Sequence, residues 1–197
     1  MLAGPMGTKQ IDRVDVGVYR ASLSGSFPSF LTADPKALAA ESVNQGLPGY
    51  LEPGTYTVSG PGGSDVGPFT ASLVIPDALN WTNRDAITSV PRSRDLSVTW
   101  AGGGQNGTVQ IFGSSVVSDD ETASGAVFFC REDVSAGAFS VPSAVLSNLP
   151  VSGMQSGVPF GILGVGVVSD GTRFAASGID LGFLTHTDLS LKPVGFE

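Results

Sequence analysis

The chain has little charge and almost no cysteine or histidine. Only 14% of its 197 residues are charged, and ten Lys and Arg against eighteen Asp and Glu leave a formal net charge of −8. A surface of this sign repels phosphate, and no stretch concentrates basic residues, so we expect no binding to nucleic acid or to anionic membranes. The longest apolar run, residues 160–168, is too short for a membrane-spanning helix, so no membrane span is predicted.

The single cysteine and the single histidine restrict the available chemistry. Cys130 has no partner for an intramolecular disulfide, and its apolar neighbours indicate a small buried side chain rather than a reactive thiol. Any Ser-His-Asp triad would have to use His186, whose setting between two threonines is typical of a solvated strand residue. Zinc sites built from several His and Cys ligands cannot be assembled within this chain. A P-loop and a Gly-x-Ser-x-Gly nucleophile motif are also missing.

What the sequence does contain is an alternation of apolar and polar residues in short segments. A period of two is typical of strands with one face in a core and the other in water. Trp100 falls on the apolar side of its segment and is predicted to be buried. The alternating segments are residues 14–18, 69–75, 96–100 and 109–111. Residues 126–130 are apolar on both faces, which predicts a more central strand.

Gly, Pro, Asn and Asp separate these segments, as expected for an all-β protein. The pair Asp170-Gly171 predicts a hairpin between residues 162–168 and 173–177. Residues 34–46 predict a short helix, because Asp34 suits the N-cap and a proline occupies the first helical position.

A second segment, residues 142–149, has room for one or two helical turns. We therefore predict an antiparallel β-sandwich, immunoglobulin-like or jelly-roll-like, with one or two short helices. It would form a single domain over residues 1–197, or two closely packed β subdomains with a weak boundary near residues 46–54.

Two places are candidate ligand sites. Asp119, Asp120 and Glu121 put three oxygen donors in one predicted loop, where they could help to hold Ca²⁺; the alternative is a solvated acidic turn. Trp81 lies among polar residues and is a candidate platform for stacking a sugar ring; the alternative is packing in the core or at an edge. No residue is predicted to be catalytic, and no cofactor other than this calcium ion is expected.

Six segments of the chain resemble, as an ordered set, the β-rich C-terminal segment of uncharacterised secreted bacterial proteins. The likeness covers about residues 50–184. It implies an extracellular or cell-surface setting and no mechanism, because the family has no known catalytic residues. No signal peptide is present in this chain, which departs from the family's pattern. The segments are residues 54–63, 66–73, 79–83, 96–103, 139–150 and 174–182.

These observations together predict a non-catalytic secreted or cell-surface module for adhesion, assembly or ligand binding. Its partner would be a protein or a glycan surface, or another copy of the chain bound through edge strands. One alternative is a carboxylate-based glycan hydrolase, since two acids distant in sequence can meet in space. Another alternative is a structural subunit of a virion or filament.

Overall fold

Strands predominate in the computed structural model, which describes residues 1–15, 18–20, 51–118, 123–155 and 157–197. The predicted all-β class is confirmed, and nearly all of the strand pairs are antiparallel. The finer assignment, immunoglobulin-like or jelly-roll-like, stays a prediction.

The described strands are numbered here in chain order. They are β1 (Leu2–Gly4), β2 (Gly7–Lys9), β3 (Asp12–Asp15), β4 (Val18–Arg20), β5 (Gly54–Gly60), β6 (Phe69–Ile75), β7 (Leu79–Trp81), β8 (Ser89–Val90), β9 (Leu96–Gly102), β10 (Thr108–Ser118), β11 (Ala123–Asp133), β12 (Ala138–Val141), β13 (Met154–Gln155), β14 (Val158–Pro159), β15 (Gly161–Val168), β16 (Thr172–Phe174), β17 (Gly182–Leu184), β18 (Thr187–Pro193) and β19 (Gly195–Phe196). A 3-10 turn spans Val134–Ala136, and a short α-helix, α1, spans Ser143–Leu146.

The chain divides into two compact units. Unit 1 comprises residues 1–75 and 172–184, and unit 2 comprises residues 76–171 and 185–197. The sequence of unit 2 is therefore interrupted once, by residues 172–184, which belong to unit 1. The domain boundary predicted near residues 46–54 falls largely outside the described residues and stays a prediction.

Unit 1 contains a four-stranded antiparallel sheet in the order β2-β1-β5-β6. Its buried face is built around Leu2, Tyr56 and Ile75. On the opposite face the hydroxyls of Thr57 and Ser72 lie 2.8 Å apart across the β5–β6 pair. The small apolar core therefore lies on one side of the sheet, and hydroxyl side chains and the exposed Val74 lie on the other.

Unit 2 contains a four-stranded sheet, β11-β10-β15-β18, and a three-stranded sheet, β12-β9-β7. Both sheets contribute side chains to one hydrophobic core, and the parallel pair β8–β19 contributes as well. The core contains Trp81, Ile87, Val90, Leu96, Val98, Trp100, Val109, Ile111, Phe128, Val134, Val141, Leu146, Leu149, Leu163, Val165, Val167, Val194 and Phe196.

Several predictions about individual elements are confirmed. In β6 and β9 the apolar residues are buried alternately, and Trp100 is only 4% exposed. Helix α1 occupies the segment with room for one or two turns and ends before Pro150. The helix predicted over residues 34–46 lies outside the described residues.

The predicted hairpin at Asp170-Gly171 is wrong. Strand β15 takes its partners from β10 and β18, while β16 pairs with β17. The dipeptide instead stands where the chain passes from unit 2 into unit 1. Gly171 is not among the glycines with positive φ, so it does not adopt the conformation that a type I′ hairpin turn requires.

Two other strand predictions need correction. Of the alternating residues 14–18, those that the structure describes fall in two antiparallel strands, with Val14 and Asp15 in β3 and Val18 in β4. Residues 126–130 lie in β11, which is at the edge of its sheet among the described residues and not at the centre. Its apolar outer side chains are exposed, so the double-sided apolar pattern does not arise from burial on both faces.

Candidate functional site

The outer face of the four-stranded sheet in unit 2 carries a group of apolar side chains, and Gln110, Ser114 and Arg131 share the face with them. Because the pairing of β10 with β11 and β15 is regular, alternate residues of each strand share this face. One row across the sheet contains Phe129, Phe112, Gly164 and Leu191, and neighbouring rows add Val127, Ile162 and Leu189. The term apolar sheet face is used below for Phe112, Val127, Phe129, Ile162, Leu189 and Leu191.

Several side chains of the apolar sheet face are largely open to solvent. Phe129 is 69% exposed, Val127 is 62% exposed and Leu189 is 42% exposed. Phe112, Ile162 and Leu191 are half-buried. Single exposed apolar residues are ordinary, but a contiguous set on one regular sheet is characteristic of an interaction surface.

Phe112 forms the centre of this face. Its ring stacks on that of Phe129, with the centroids 5.9 Å apart and the planes inclined by 27°. The ring also covers Gly164 of β15, where a β-carbon would overlap two ring atoms. A glycine at this position lets the aromatic ring lie close to the backbone, which makes the face flatter than a larger residue would.

The outer face of the three-stranded sheet provides an internal comparison. Its outward side chains are small or polar, and the hydroxyls of Thr82 and Thr99 lie 2.7 Å apart across β7 and β9. Other members of this polar face are Asn80, Ser97, Ala138 and Ser140, all of them exposed. Unit 2 therefore has one face suited to water and one suited to contact with another apolar surface.

Strand β11 is a long strand at the edge of the sheet that carries the apolar sheet face. Its eleven residues pair one-to-one with β10 without a bulge. Among the described residues, no second strand pairs with its other side. Within the described ranges, the backbone N–H and C=O groups on that side have no strand partner, and an edge of this kind is a template for another strand.

Trp81 lies in the core rather than on the surface. It is 5% exposed, and its indole N–H donates to the side-chain oxygen of Asn83 at 3.0 Å. The buried ring corresponds to the core-packing alternative and offers no open face for stacking on a sugar. Asn83 is the more informative residue here, since its oxygen also accepts the N–H of Thr99 and its amide donates to the carbonyl of Ser97.

The predicted calcium ligands Asp119, Asp120 and Glu121 lie outside the described residues, so this site stays a prediction. Within the described ranges, no group of three or more His, Cys, Asp or Glu side chains is placed to hold a metal ion.

His186 is half-buried and is not joined to a nucleophile. The hydroxyl of Ser169 donates to the backbone carbonyl of His186 at 3.2 Å and accepts its backbone N–H at 3.1 Å. These bonds engage the serine with the main chain rather than with the imidazole. Burial lowers the pKa of His186, and the charge of Asp188 opposes this effect. The imidazole Nδ1 is buried and has no hydrogen-bond partner among the described residues.

Cys130 lies on the inner face of β11 and packs beside the hydrophobic core. Burial raises the pKa of its thiol, which reduces the thiolate fraction at neutral pH. This setting agrees with a structural side chain.

A shallow recess of about 540 Å³ is present in unit 1. Its lining contains aromatic, proline and hydroxyl side chains but no carboxylate, so it does not present the pair of acids that glycoside hydrolysis uses. The lining residues are Met1, Ser59, Gly60, Pro61, Pro68, Phe69 and Thr70.

Sequence reasoning missed the apolar sheet face, although its signals were present. The double-sided apolar pattern of residues 126–130 was one signal, and the alternating leucines 189 and 191 were another. Neither identifies a surface until the pairing shows that the residues share one side of one sheet.

No helix in the described part of the chain is long and apolar enough to cross a membrane. No protein-family model, no curated protein and no solved structure matches the chain.

Proposed function

We propose that the chain is a non-catalytic adhesion or assembly module that attaches to a protein partner through the apolar sheet face. The observation that carries this proposal is the exposure of Phe129, Val127 and Leu189 on one regular sheet. Burying an apolar side chain of this size stabilises a complex by roughly 1–2 kcal/mol. A partner that covers the three side chains would therefore gain a useful part of its binding energy from them.

The stacked pair Phe112 and Phe129 supports attachment in a second way. Aromatic side chains are enriched among the residues that dominate binding energy at protein interfaces. Because Phe112 is held over Gly164 and against Phe129, little side-chain entropy remains to be lost when a partner binds.

A secreted or cell-surface setting is part of the proposal. It is supported by the resemblance over residues 50–184. A structural subunit of a filament or virion is the second candidate. The long open edge of β11 favours it, since edge-to-edge pairing is one way to build an extended assembly.

The test uses beads coated with the purified protein, applied to intact cells of the source and to beads that carry the same protein. We expect attachment to at least one of these surfaces, reduced at least fivefold by Phe129→Ser or Leu189→Ser. Val74→Ser is the matched control, because Val74 is 64% exposed and lies in unit 1. Circular dichroism would verify that each variant is folded.

Attachment that the two face variants leave unchanged would overturn the proposal, as would the absence of attachment to either surface. Hydrolysis of a glycan at a rate abolished by one carboxylate substitution would instead support the enzyme alternative. Antibody labelling of intact and permeabilised cells tests the compartment separately.

A further inference from the structure

We infer that the partner at the open edge is a second copy of the chain, and that β11 of each copy pairs antiparallel with β11 of the other across a two-fold axis. The two four-stranded sheets would then form one eight-stranded sheet, with the two apolar sheet faces continuous on one side. This inference goes beyond the proposed function, because the pairing uses the edge of the sheet and leaves the two apolar sheet faces uncovered.

The first support is the regularity of the edge. Strand β11 is as long as β10, and their pairing continues from Ala123 to Asp133 without a register shift. In an antiparallel pair, the backbone groups of alternate residues point away from the existing neighbour. Strand β11 therefore presents a straight row of donors and acceptors that matches the row on another copy.

The second support is that residues 123–130 lack the features that normally protect an edge, although the last three residues of β11, Arg131, Glu132 and Asp133, are charged. Natural edge strands carry lysine, proline, bulges or inward charges that prevent pairing with other chains. Residues 123–130 contain none of the charged residues and no proline, and Val127 and Phe129 are open to solvent. An edge of this kind is suited to being covered.

The third support is the distribution of charge along β11, which selects the orientation. Arg131, Glu132 and Asp133 all lie at the C-terminal end, and residues 123–130 are uncharged. A parallel, in-register pair of copies would place like charges opposite each other, which is destabilising. An antiparallel pair places the charged end of each copy opposite the uncharged end of the other.

One register also makes the side chains complementary. With Phe128 on the two-fold axis, Val127 of each copy lies opposite Phe129 of the other, and Arg131 lies opposite Gly125. Pairs of an aromatic with a β-branched side chain are favourable across neighbouring strands. On the inner side, Cys130 lies opposite Ala126, so two small side chains meet. A two-fold arrangement is also the commonest symmetry of homo-oligomers.

The first experiment is sedimentation velocity of the full chain over a wide range of concentrations. We expect a reversible dimer, and we expect Val127→Lys to raise its dissociation constant at least tenfold. Val74→Lys is the matched control. Val74 and Val127 are 64% and 62% exposed, and each lies on an end strand of its four-stranded sheet among the described residues. Leu189→Ser alters the face far from the edge and should leave the dimer intact.

Added salt should strengthen the dimer, because it screens the repulsion between two copies of net charge −8.

The second experiment measures distances between spin labels, one on each copy, after Cys130→Ala removes the native thiol. Seven strand spacings separate the two copies of β18 in the eight-stranded sheet. Leu189 shares a row with Arg131, and Arg131 lies opposite Gly125, so the two Leu189 positions are also offset by six residues along the strands. Labels at Leu189→Cys should therefore lie roughly 40 Å apart. Labels at Phe129→Cys should lie within about 15 Å, since adjacent strands are about 5 Å apart and the labels themselves have length. Stacking of the two apolar sheet faces would instead bring β11 labels and β18 labels to similar, sheet-to-sheet separations.

The outcomes separate this inference from the proposed function. If the protein is monomeric in sedimentation and its attachment to beads or cells is lost with Phe129→Ser, pairing with a second copy is overturned and the proposed function is still supported. A dimer that Val127→Lys does not weaken, or one with short distances at both labelled positions, overturns edge pairing. A dimer weakened by Val127→Lys, with long β18 and short β11 distances, supports the inference even if cells prove not to be the attachment surface.

Discussion

Phe112 and Phe129 stack across the β10–β11 pair, with their ring centroids 5.9 Å apart. Phe112 is half-buried, whereas Phe129 is 69% exposed, so the inner ring supports the outer one. Aromatic stacking of this kind adds about 0.5–1.5 kcal/mol beyond the burial of area. The exposed ring is therefore held in place on the sheet without being part of the core.

The adjacent residues Phe128 and Phe129 should respond very differently to truncation. Phe128 is 6% exposed and packs edge-on against Phe196 in the core, so Phe128→Ala should lower the free energy of unfolding by about 3–5 kcal/mol. Phe129→Ala should lower it by about 1 kcal/mol or less, because mainly the stacking contact is lost. Urea denaturation, followed by a spectroscopic signal from unit 2, measures the free energy of unfolding of both variants. A cost for Phe129→Ala as large as that for Phe128→Ala would show that Phe129 is a core residue after all.

Gly164 should tolerate no side chain while Phe112 is present. A β-carbon at Gly164 would overlap the Phe112 ring and would lie 2.9 Å from Cδ2 of Leu191. Gly164→Ala should therefore lower the free energy of unfolding by about 1–3 kcal/mol, as overpacking does.

The double variant Gly164→Ala with Phe112→Ala provides the control for this prediction. Without the ring only the contact with Leu191 remains, so the cost of Gly164→Ala should shrink, and the two substitutions should be clearly non-additive. Simple additivity in the double-mutant cycle would mean that the ring and the glycine do not constrain each other.

Long strands with a clear alternation of side chains could be predicted from the sequence, but their neighbours in the sheets could not. In β6 and β9 the alternation of side chains is local, and so it was sufficient to identify the buried residues. The pairing of β15 with β10 and β18 joins residues that are distant in the chain, and no local pattern specifies it. A strong turn dipeptide, Asp170-Gly171, therefore suggested a hairpin that the long-range pairing does not form.

The same limit explains why the candidate site could not be found from the sequence. Phe129, Phe112 and Leu191 share one row only because three strand pairs are in register. Trp81 shows a related limit, because its polar neighbours in sequence left both an exposed position and core packing open. In the folded chain, Asn83 accepts the indole N–H, which allows the large ring to be buried among polar residues.

Asn83 should be important for stability, whereas Asn80 should not. The Asn83 oxygen accepts N–H groups from Trp81 and Thr99 at 3.0 Å each, and its amide donates to the Ser97 carbonyl at 2.9 Å. Asn83→Ala removes all three bonds and leaves a buried indole N–H without its acceptor, at a cost of about 2–3 kcal/mol. The exposed Asn80 is the matched control, and Asn80→Ala should change the free energy of unfolding by about 0.5 kcal/mol or less. Thermal and urea denaturation followed by tryptophan fluorescence would give both values, and equal costs would contradict the assigned role of Asn83.

His186 should make the fold less stable in mild acid. Burial holds the pKa of His186 below its usual value of 6.5 in the folded chain, and the charge of Asp188 only partly offsets this. The unfolded chain therefore binds a proton more readily, and the free energy of unfolding should fall as the pH drops from above 6.5 through the lower folded pKa. Well above pH 6.5 the imidazole is neutral in both the folded and the unfolded chain, so His186 does not reduce the free energy of unfolding there. Because the chain has one histidine, its imidazole resonance in a proton NMR titration is unambiguous and should give a midpoint below 6.5. The loss of stability between pH 7.5 and pH 5 should be smaller in His186→Gln than in the native sequence, and a midpoint at or above 6.5 would contradict the burial of a neutral imidazole.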